Sequence, residues 1–393
     1  MTDITNLFEW LLQGTVAPGR VQDLYTRVGA GLSEAGVPLD RLVAFIRTLH
    51  PHFMSRRFEW TLEDGTRVTE AAYSIMSTPA YVGSPVAKVV STGKPLRRRL
   101  SSANELHEHA ILDELAARGV TDYLALPIHF TNGEIHTISF ATKSPEGFSD
   151  EHIAAMERIM SPLSRIIEIT ALRHTAVNLL NTYVGRNAGE RILAGNIKPG
   201  DTEFIQAVIW YSDLRGFTAL SETVESSTLI QTLNEVFDCQ VASIERYGGE
   251  VLKYIGDGLL AIFPTGPESE ITKACDDALA AAREAFGMLQ SLNTQRIERD
   301  APAVRFGLAL HIGEVAFGNI GGRARLDFTC IGPAVNLAAR LEGLTGKLGR
   351  DIVTSSTFAA YCSESMEKVG EFALKGVARA EVIHAPVVSV MKE

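Results

Sequence analysis

Apolar and polar positions along this chain recur with two different periods, and the changes of period mark its elements. From about Asn6 to Ala35 the pattern is that of a mixed helical stretch. Apolar, β-prone runs follow at Arg41–Leu49, Phe53–Leu62, Tyr123–Phe130 and Glu134–Thr142. The last two flank Thr131-Asn132-Gly133, and Asn-Gly between two strands predicts a tight hairpin. Pro145-Glu-Gly-Phe-Ser-Asp-Glu151 then carries an N-cap signature. The helix it opens places Ile153, Met156, Met160, Leu163 and Ile167 at steps of 3 and 4. Such a stripe suits either a dimer seam or packing on the domain's own sheet. Pro162 falls inside it and is expected to kink or restart the helix. The basic run Arg97-Arg98-Arg99 reads as a solvated loop.

Leu172 to Val184 remains helix-prone, and Gly185, Gly189, Gly195 and Pro199-Gly200 then punctuate the chain as a connector. A composition change at Glu203 opens a second region. Its first strand, Phe204 to Tyr211, runs into Ser212-Asp213-Leu214-Arg215-Gly216-Phe217-Thr218. Two β-prone segments, within Val251 to Phe263, flank Gly256-Asp257-Gly258 and put Asp257 at a hairpin tip. Ala303–Gly313 and Glu314–Ile320 read as a further pair of strands, leading through a glycine-rich stretch to a helix over Ala334–Glu342.

The composition bounds what such a chain can be. With 393 residues, 46% hydrophobic and 21% charged, it has material for two to three packed domains. Thirty-seven basic against 47 acidic residues leave a net charge of −10, which argues against a nucleic-acid-binding surface. No apolar run approaches the roughly 18 residues of a membrane span, and Met1-Thr-Asp-Ile-Thr lacks a secretory head. The chain reads as a soluble, cytoplasmic protein without membrane insertion. Cys239, Cys275, Cys330 and Cys362 form no C-x-x-C pair, so neither a disulfide framework nor a zinc site is indicated.

The candidate chemistry lies in the second region. An acid at the end of a buried strand, before a glycine turn and a helix, is a typical metal-ligand position, and the turn's amides can receive phosphate oxygens. Asp213 and Asp257 are 44 residues apart. If their strands are neighbours, the carboxylates converge at one sheet edge, an oxygen pair suited to Mg²⁺ with substrate phosphates. Asn336 and Arg340, four residues apart on a helix, share a face and together could orient a sugar and neutralise a phosphoryl group.

Four blocks in order carry a family resemblance: Tyr211-Ser-Asp-Leu-Arg-Gly-Phe-Thr218, Lys253-Tyr-Ile-Gly-Asp257, His311-Ile-Gly-Glu314 and Thr329-Cys-Ile-Gly-Pro-Ala-Val-Asn-Leu-Ala-Ala-Arg340. This region resembles the catalytic domain of class III adenylyl/guanylyl cyclases. In the first half, Ser91-Thr-Gly-Lys-Pro95, Gly119 to Ile128, the Asn-Gly hairpin and Gly147-Phe-Ser-Asp-Glu151 resemble a GAF sensor domain, with a PAS-like domain as competitor. The expected organisation is α+β throughout. A GAF-like sensor covers 1–170, a helical connector 171–202, and a ferredoxin-like (βαββαβ) class III nucleotidyl cyclase domain 203–393.

The resemblance implies the roles. Asp213 and Asp257, with the backbone carbonyl of Leu214, would hold two Mg²⁺ or Mn²⁺ ions. Arg340 would stabilise phosphoryl charge and Asn336 would orient the ribose. Lys253 matches the lysine that contacts adenine. Thr329 stands where many members carry Asp, a departure shared with bacterial members of class IIIb. Lys375 matches a lysine gripping the terminal phosphates, and Arg325 or Arg323 is a further phosphate candidate; His311 reads as structural. A lysine is the wrong complement for the guanine N1–H and N2–H₂ donors, so the expectation is an adenylate cyclase acting on ATP. Guanylate cyclase and a catalytically silent nucleotide-binding module are the alternatives. The resemblance also implies a homodimer, with the metal-binding acids on one chain and Lys253, Thr329, Asn336 and Arg340 facing them from the other. An unidentified small ligand or signal would act at the N-terminal domain.

Overall fold

A computed structural model describes residues 2–14, 20–100, 107–322, 324–377 and 379–387. The chain divides into two units, Met1–Leu179 and Leu180–Glu393.

The first unit is built on a six-stranded antiparallel sheet. In chain order its elements are α1 (Thr5–Gln13), α2 (Val21–Glu34), β1 (Arg41–Arg47), β2 (Ser55–Thr61), β3 (Gly65–Ala71), α3 (Pro79–Val82), α4 (Pro85–Thr92), β4 (Leu96–Arg99), α5 (Ala110–Ala117), β5 (Asp122–His129), β6 (Ile135–Thr142) and α6 (Asp150–Val184). The strands lie in the order β3-β2-β1-β6-β5-β4. Because successive side chains on a strand point to opposite faces, β5 serves two cores. Leu124 and Leu126 join α1, α2 and α6 on one side, while Tyr123 and Ala125 join α4 and α5 on the other. The Asn-Gly hairpin forms as expected, with His129 opposite Ile135 at its mouth.

Three expectations for this unit are corrected. Met156, Leu163 and Ile167 are buried in the unit's own core, with Ile153 and Met160 packed against it, so the stripe is no dimer seam. Pro162 does not restart the helix, which runs unbroken from Asp150 to Val184. Proline removes one amide donor, and buried Ile159, Leu163, Ile166 and Ile167 anchor the helix on both sides of it. Arg97-Arg98-Arg99 is strand β4 rather than a solvated loop. Arg97 Nη2 lies 2.7 Å from the carboxylate of fully buried Asp122 and donates to the Phe148 carbonyl at 2.5 Å. A buried acid needs such a partner, and that need draws the basic run into the sheet.

The second unit comprises α7 (Arg186–Leu193), β7 (Thr202–Leu214), α8 (Phe217–Thr223), α9 (Ser226–Arg246), β8 (Glu250–Ile255), β9 (Gly258–Pro264), α10 (Ile271–Glu298), β10 (Phe306–Gly322), β11 (Arg325–Ile331), α11 (Pro333–Glu342), α12 (Thr345–Leu348), β12 (Ile352–Ser355), α13 (Ser356–Tyr361), β13 (Met366–Phe372) and β14 (Glu381–Pro386). Elements β7-α9-β8-β9-α10-β10 form a βαββαβ core whose strands lie as β10-β7-β9-β8, each antiparallel to its neighbour. Trp210, Val208 and Leu308 face α9 and α10, while Ala207 and Ile209 face Ala334 and Ala338 of α11.

Two segments differ from the reading of the sequence. Ala303–Gly313 and Glu314–Ile320 are not two strands, because Phe306 to Gly322 is one continuous strand. Gly313 there permits a close approach rather than a turn, since a Cβ on it would lie 2.7 Å from Ala334 Cβ. The glycine-rich stretch after it is a hairpin, in which β11 folds back on β10 with Arg325 opposite Gly322 and Thr329 opposite Gly318.

Candidate active site

Strand β7 ends at the site. Its last residues pair with β9, Ser212 opposite Leu259, and with β10, Asp213 opposite Gly307. The β8–β9 hairpin closes with Ile255 opposite Gly258. Its tip is Gly256-Asp257, where Gly256 takes a φ of +63° that favours glycine. The two strands are thus neighbours, and the two acids meet at their ends. A Cβ on Gly258 would lie 2.7 Å from the Ser212 carbonyl oxygen and 3.0 Å from Asp213 Oδ1. Only glycine leaves the Asp213 carboxylate its place.

The electrostatics follow from that crowding. Burial first, then the charge and hydrogen bonding of Asp257, push the Asp213 carboxyl up to about 6. Glu342, the last residue of α11, is pushed up to about 7 by burial and then by the Asp213 charge. Tyr211, on the same strand face as Asp213, is raised by burial and by Asp213, Glu342 and Asp257. Like charges this close resist ionisation together, and a divalent cation is the counter-charge such an oxygen pair suits. The donor set at Asp213 and Asp257, with the main chain of Leu214 beside them, therefore fits a hard cation. Glu342 escaped the reading of the sequence, because only the packing of α11 against β7 and β10 brings it to the pair; Tyr211, two residues before Asp213 on β7, was signalled by the strand period alone.

A second group forms between β8 and β11. Lys253 Nζ lies 3.7 Å from Asp327 Oδ2. Thr329, two residues on and hence on the same strand face, is 2% exposed, and its hydroxyl has no hydrogen-bond partner among the described residues. The structure pairs Lys253 with Asp327, which the reading of the sequence did not single out, on the strand that carries Thr329. The i, i+2 spacing from Thr329 was the only signal of Asp327, hidden while β11 went unrecognised as a strand.

Asn336 is exposed on α11, and Arg340 is half-buried one turn later. Lys375 is exposed on the loop after β13. It is drawn toward α11, since a Cβ on the next residue, Gly376, would lie 3.3 Å from Arg340 Nη2. Arg325 is exposed at the first position of β11, near the hairpin tip, and among the described residues nothing brings it to the acids. Arg323 lies outside the described residues. His311 is buried, with Nδ1 2.7 Å from Ser355 Oγ.

Comparison with known proteins bears on the second unit. The family model for the adenylate and guanylate cyclase catalytic domain matches residues 201–385. An adenylate cyclase of Anabaena cylindrica is 34% identical over 166 residues, 41% of this chain and 32% of that protein. Adenylate cyclase 1 of Rhizobium meliloti is 24% identical over 286 residues, 71% of this chain and 42% of that protein. A solved adenylyl cyclase from P. aeruginosa is 26% identical, with 47% of this chain and 94% of that one covered at a TM-score of 0.40. Residues 201–385 belong to the class III adenylate and guanylate cyclase catalytic domain family. The chain spans only about a third to two fifths of the length of these two curated relatives. Among the described residues no helix is long and apolar enough to cross a membrane.

Proposed function

We propose that the second unit is an adenylate cyclase converting ATP to 3′,5′-cyclic AMP and pyrophosphate. The observation that carries the choice of base is the Lys253 amine held at Asp327, two residues from the buried, unpartnered Thr329 hydroxyl on the same strand. Lysine offers only donors, which adenine's ring nitrogens accept and guanine's N1–H and N2–H₂ oppose. Asp327, on the same strand, holds the lysine toward β11 and supplies an acceptor for an exocyclic amine.

Asp213, Asp257 and the Leu214 carbonyl would hold two Mg²⁺ or Mn²⁺ ions. Bound there, such ions supply positive charge to phosphate oxygens and make a ribose 3′-hydroxyl more acidic. The chain's own residues do the rest. Asn336 orients the ribose, and Arg340 meets the charge that develops on the α-phosphoryl group. Lys375, on the loop beside Arg340, binds the terminal phosphates, with Arg325 as a further contact. In the reaction the 3′-oxygen bonds to the α-phosphorus and the bond to the β-phosphate oxygen breaks. Pyrophosphate leaves, and the hydroxyl proton passes to solvent. Catalysis of this kind is positioning and charge stabilisation.

The working form is a homodimer in which Lys253, Thr329, Asn336 and Arg340 of one chain complete the metal-binding half of the other. Large exposed apolar side chains around these elements, Phe204, Tyr254, Ile255 and Ile331, support an interface there. Residues 1–170 act as a GAF-like regulatory domain and 171–202 as the connector. A late hairpin followed by a long helix, β5, β6 and α6, supports that reading. Its input is a small ligand or signal.

The test is product analysis of the purified chain with ATP and with GTP, each with Mg²⁺ or Mn²⁺. Cyclic AMP from ATP, and little cyclic GMP, is the expected result. Cyclic GMP as main product would overturn the choice of base, and no cyclic nucleotide from either would overturn the enzyme.

A further inference from the structure

The first unit contains a recess whose chemistry is distinct from that of the cyclase site and independent of its reading. It opens between α2, the β1–β2 edge and α6, with a volume of about 30 Å³. Val21, Ile46, Phe58, Ile167 and Ala171 form apolar walls, and Arg47, Arg56 and His174 bring cationic or ionisable groups to it. Tyr25 also lines it. That residue is 1% exposed and stacks on Phe58 at 4.4 Å. No hydrogen bond of its hydroxyl is found among the described residues, although a buried tyrosine normally finds a partner for that group.

The charges do not balance. Arg56 is paired with Glu70 at 3.1 Å, but Arg47 has no acidic partner among the described residues. The charges of Arg56 and Arg173 bear on His174, lowering its proton affinity further after burial. The titratable residues that line the recess, Tyr25, Arg47, Arg56 and His174, include no acid. A half-enclosed site with guanidinium charge and a phenol donor suits an anion.

Size narrows the class. A water needs roughly 10–15 Å³ of such space, and pockets for drug-sized molecules run to several hundred. The recess therefore holds two or three heavy-atom positions, too few for a nucleotide. We propose that it binds a small planar monovalent oxyanion of the size of formate or nitrite. The guanidinium groups of Arg47 and Arg56 take its oxygens, and the Tyr25 hydroxyl donates from within. Guanidinium binds such planar oxyanions in a fork geometry. The occupant would bridge β1, β2, α2 and α6, and so brace α6 against its own sheet.

Carbon-13 relaxation of labelled formate, titrated with the full chain, tests this. Saturable binding that nitrite displaces is expected, weakened about fivefold or more by Arg47→Gln and by Arg56→Gln, as for loss of a charge-assisted hydrogen bond. Tyr25→Phe should weaken it about threefold, the loss of one neutral donor. Arg47 lies at the exposed end of β1, so its variant keeps the fold, which circular dichroism checks. Binding that does not saturate, or that is unchanged in Arg47→Gln and Arg56→Gln, overturns the proposal.

Discussion

Lys253 Nζ stands 3.7 Å from Asp327 Oδ2, across the gap between β8 and β11. The contact is half-exposed and adds little to stability; its consequence is direction, since it holds a flexible lysine toward the face that bears Thr329. Replacing Lys253 with Glu should lower kcat/KM for ATP at least about tenfold and shift the ATP-to-GTP ratio toward GTP, because a donor is exchanged for an acceptor. Asp327→Asn should change the same ratio less. Steady-state kinetics with both nucleotides check this, and an unchanged ratio in Lys253→Glu would remove the base-reading assignment.

Asp213→Asn should reduce turnover by a factor on the order of 10²–10³ or more, as for loss of a principal electrostatic group, while the metal-free fold is retained. Since burial and Asp257 oppose the Asp213 charge, the metal-free variant should resist urea slightly better than the parent at pH 7. Mn²⁺ binding followed by electron paramagnetic resonance should weaken in parallel with turnover.

Gly258→Ala tests the same pair through shape alone. Its Cβ would meet the Ser212 carbonyl oxygen at 2.7 Å and Asp213 Oδ1 at 3.0 Å, so either the strand or the carboxylate must move. Turnover should fall at least about tenfold, since a displacement near 1 Å in a positioned site costs up to about a hundredfold. A fully active variant would show that Asp213 has freedom of movement beyond this fold.

Burial pushes the imidazole of His311 down to about 4, below an unfolded value near 6.5. Between these values the unfolded chain takes up a proton that the folded chain refuses, so His311's contribution to stability falls as pH drops from about 6.5 toward 4. Urea midpoints of the full chain should therefore decline over that range, and less steeply in His311→Gln. Equal slopes would show that the ring charges without cost beside Ser355.

In the first unit, Asp122→Ala should cost about 3 kcal/mol, the magnitude for stripping one partner from a buried ion pair. The change strands Arg97 and also removes the acceptor of the Phe148 amide, bound at 3.0 Å. Arg97→Ala should cost a similar amount, and the double variant less than the sum. Denaturant titration of all three variants decides this.

Much of the architecture was legible because it rests on local chemistry. The Asn132-Gly133 turn, the strands beside it and the acid at the end of Phe204–Tyr211 each announce themselves through alternation and turn residues. The carboxylate spacing and the Asn336–Arg340 step were equally readable, and the four blocks around them carried the family resemblance. Where the reading failed, a glycine or a basic run had two local meanings. Gly313 looked like a turn and proved to be a gap for Ala334; Arg97 looked solvated and proved to be the counter-ion of Asp122.

The chain by itself determined which residues carry the candidate chemistry, since donor and acceptor groups and helical or strand spacing are written in order along it. Only the tertiary structure decided that Asp327 would face Lys253, that Glu342 would crowd Asp213, and that Arg47, Arg56 and Tyr25 would share one recess. Those encounters depend on strand register and helix packing between segments tens of residues apart. They form when long-range apolar burial brings the segments together, and no short-range pattern encodes them.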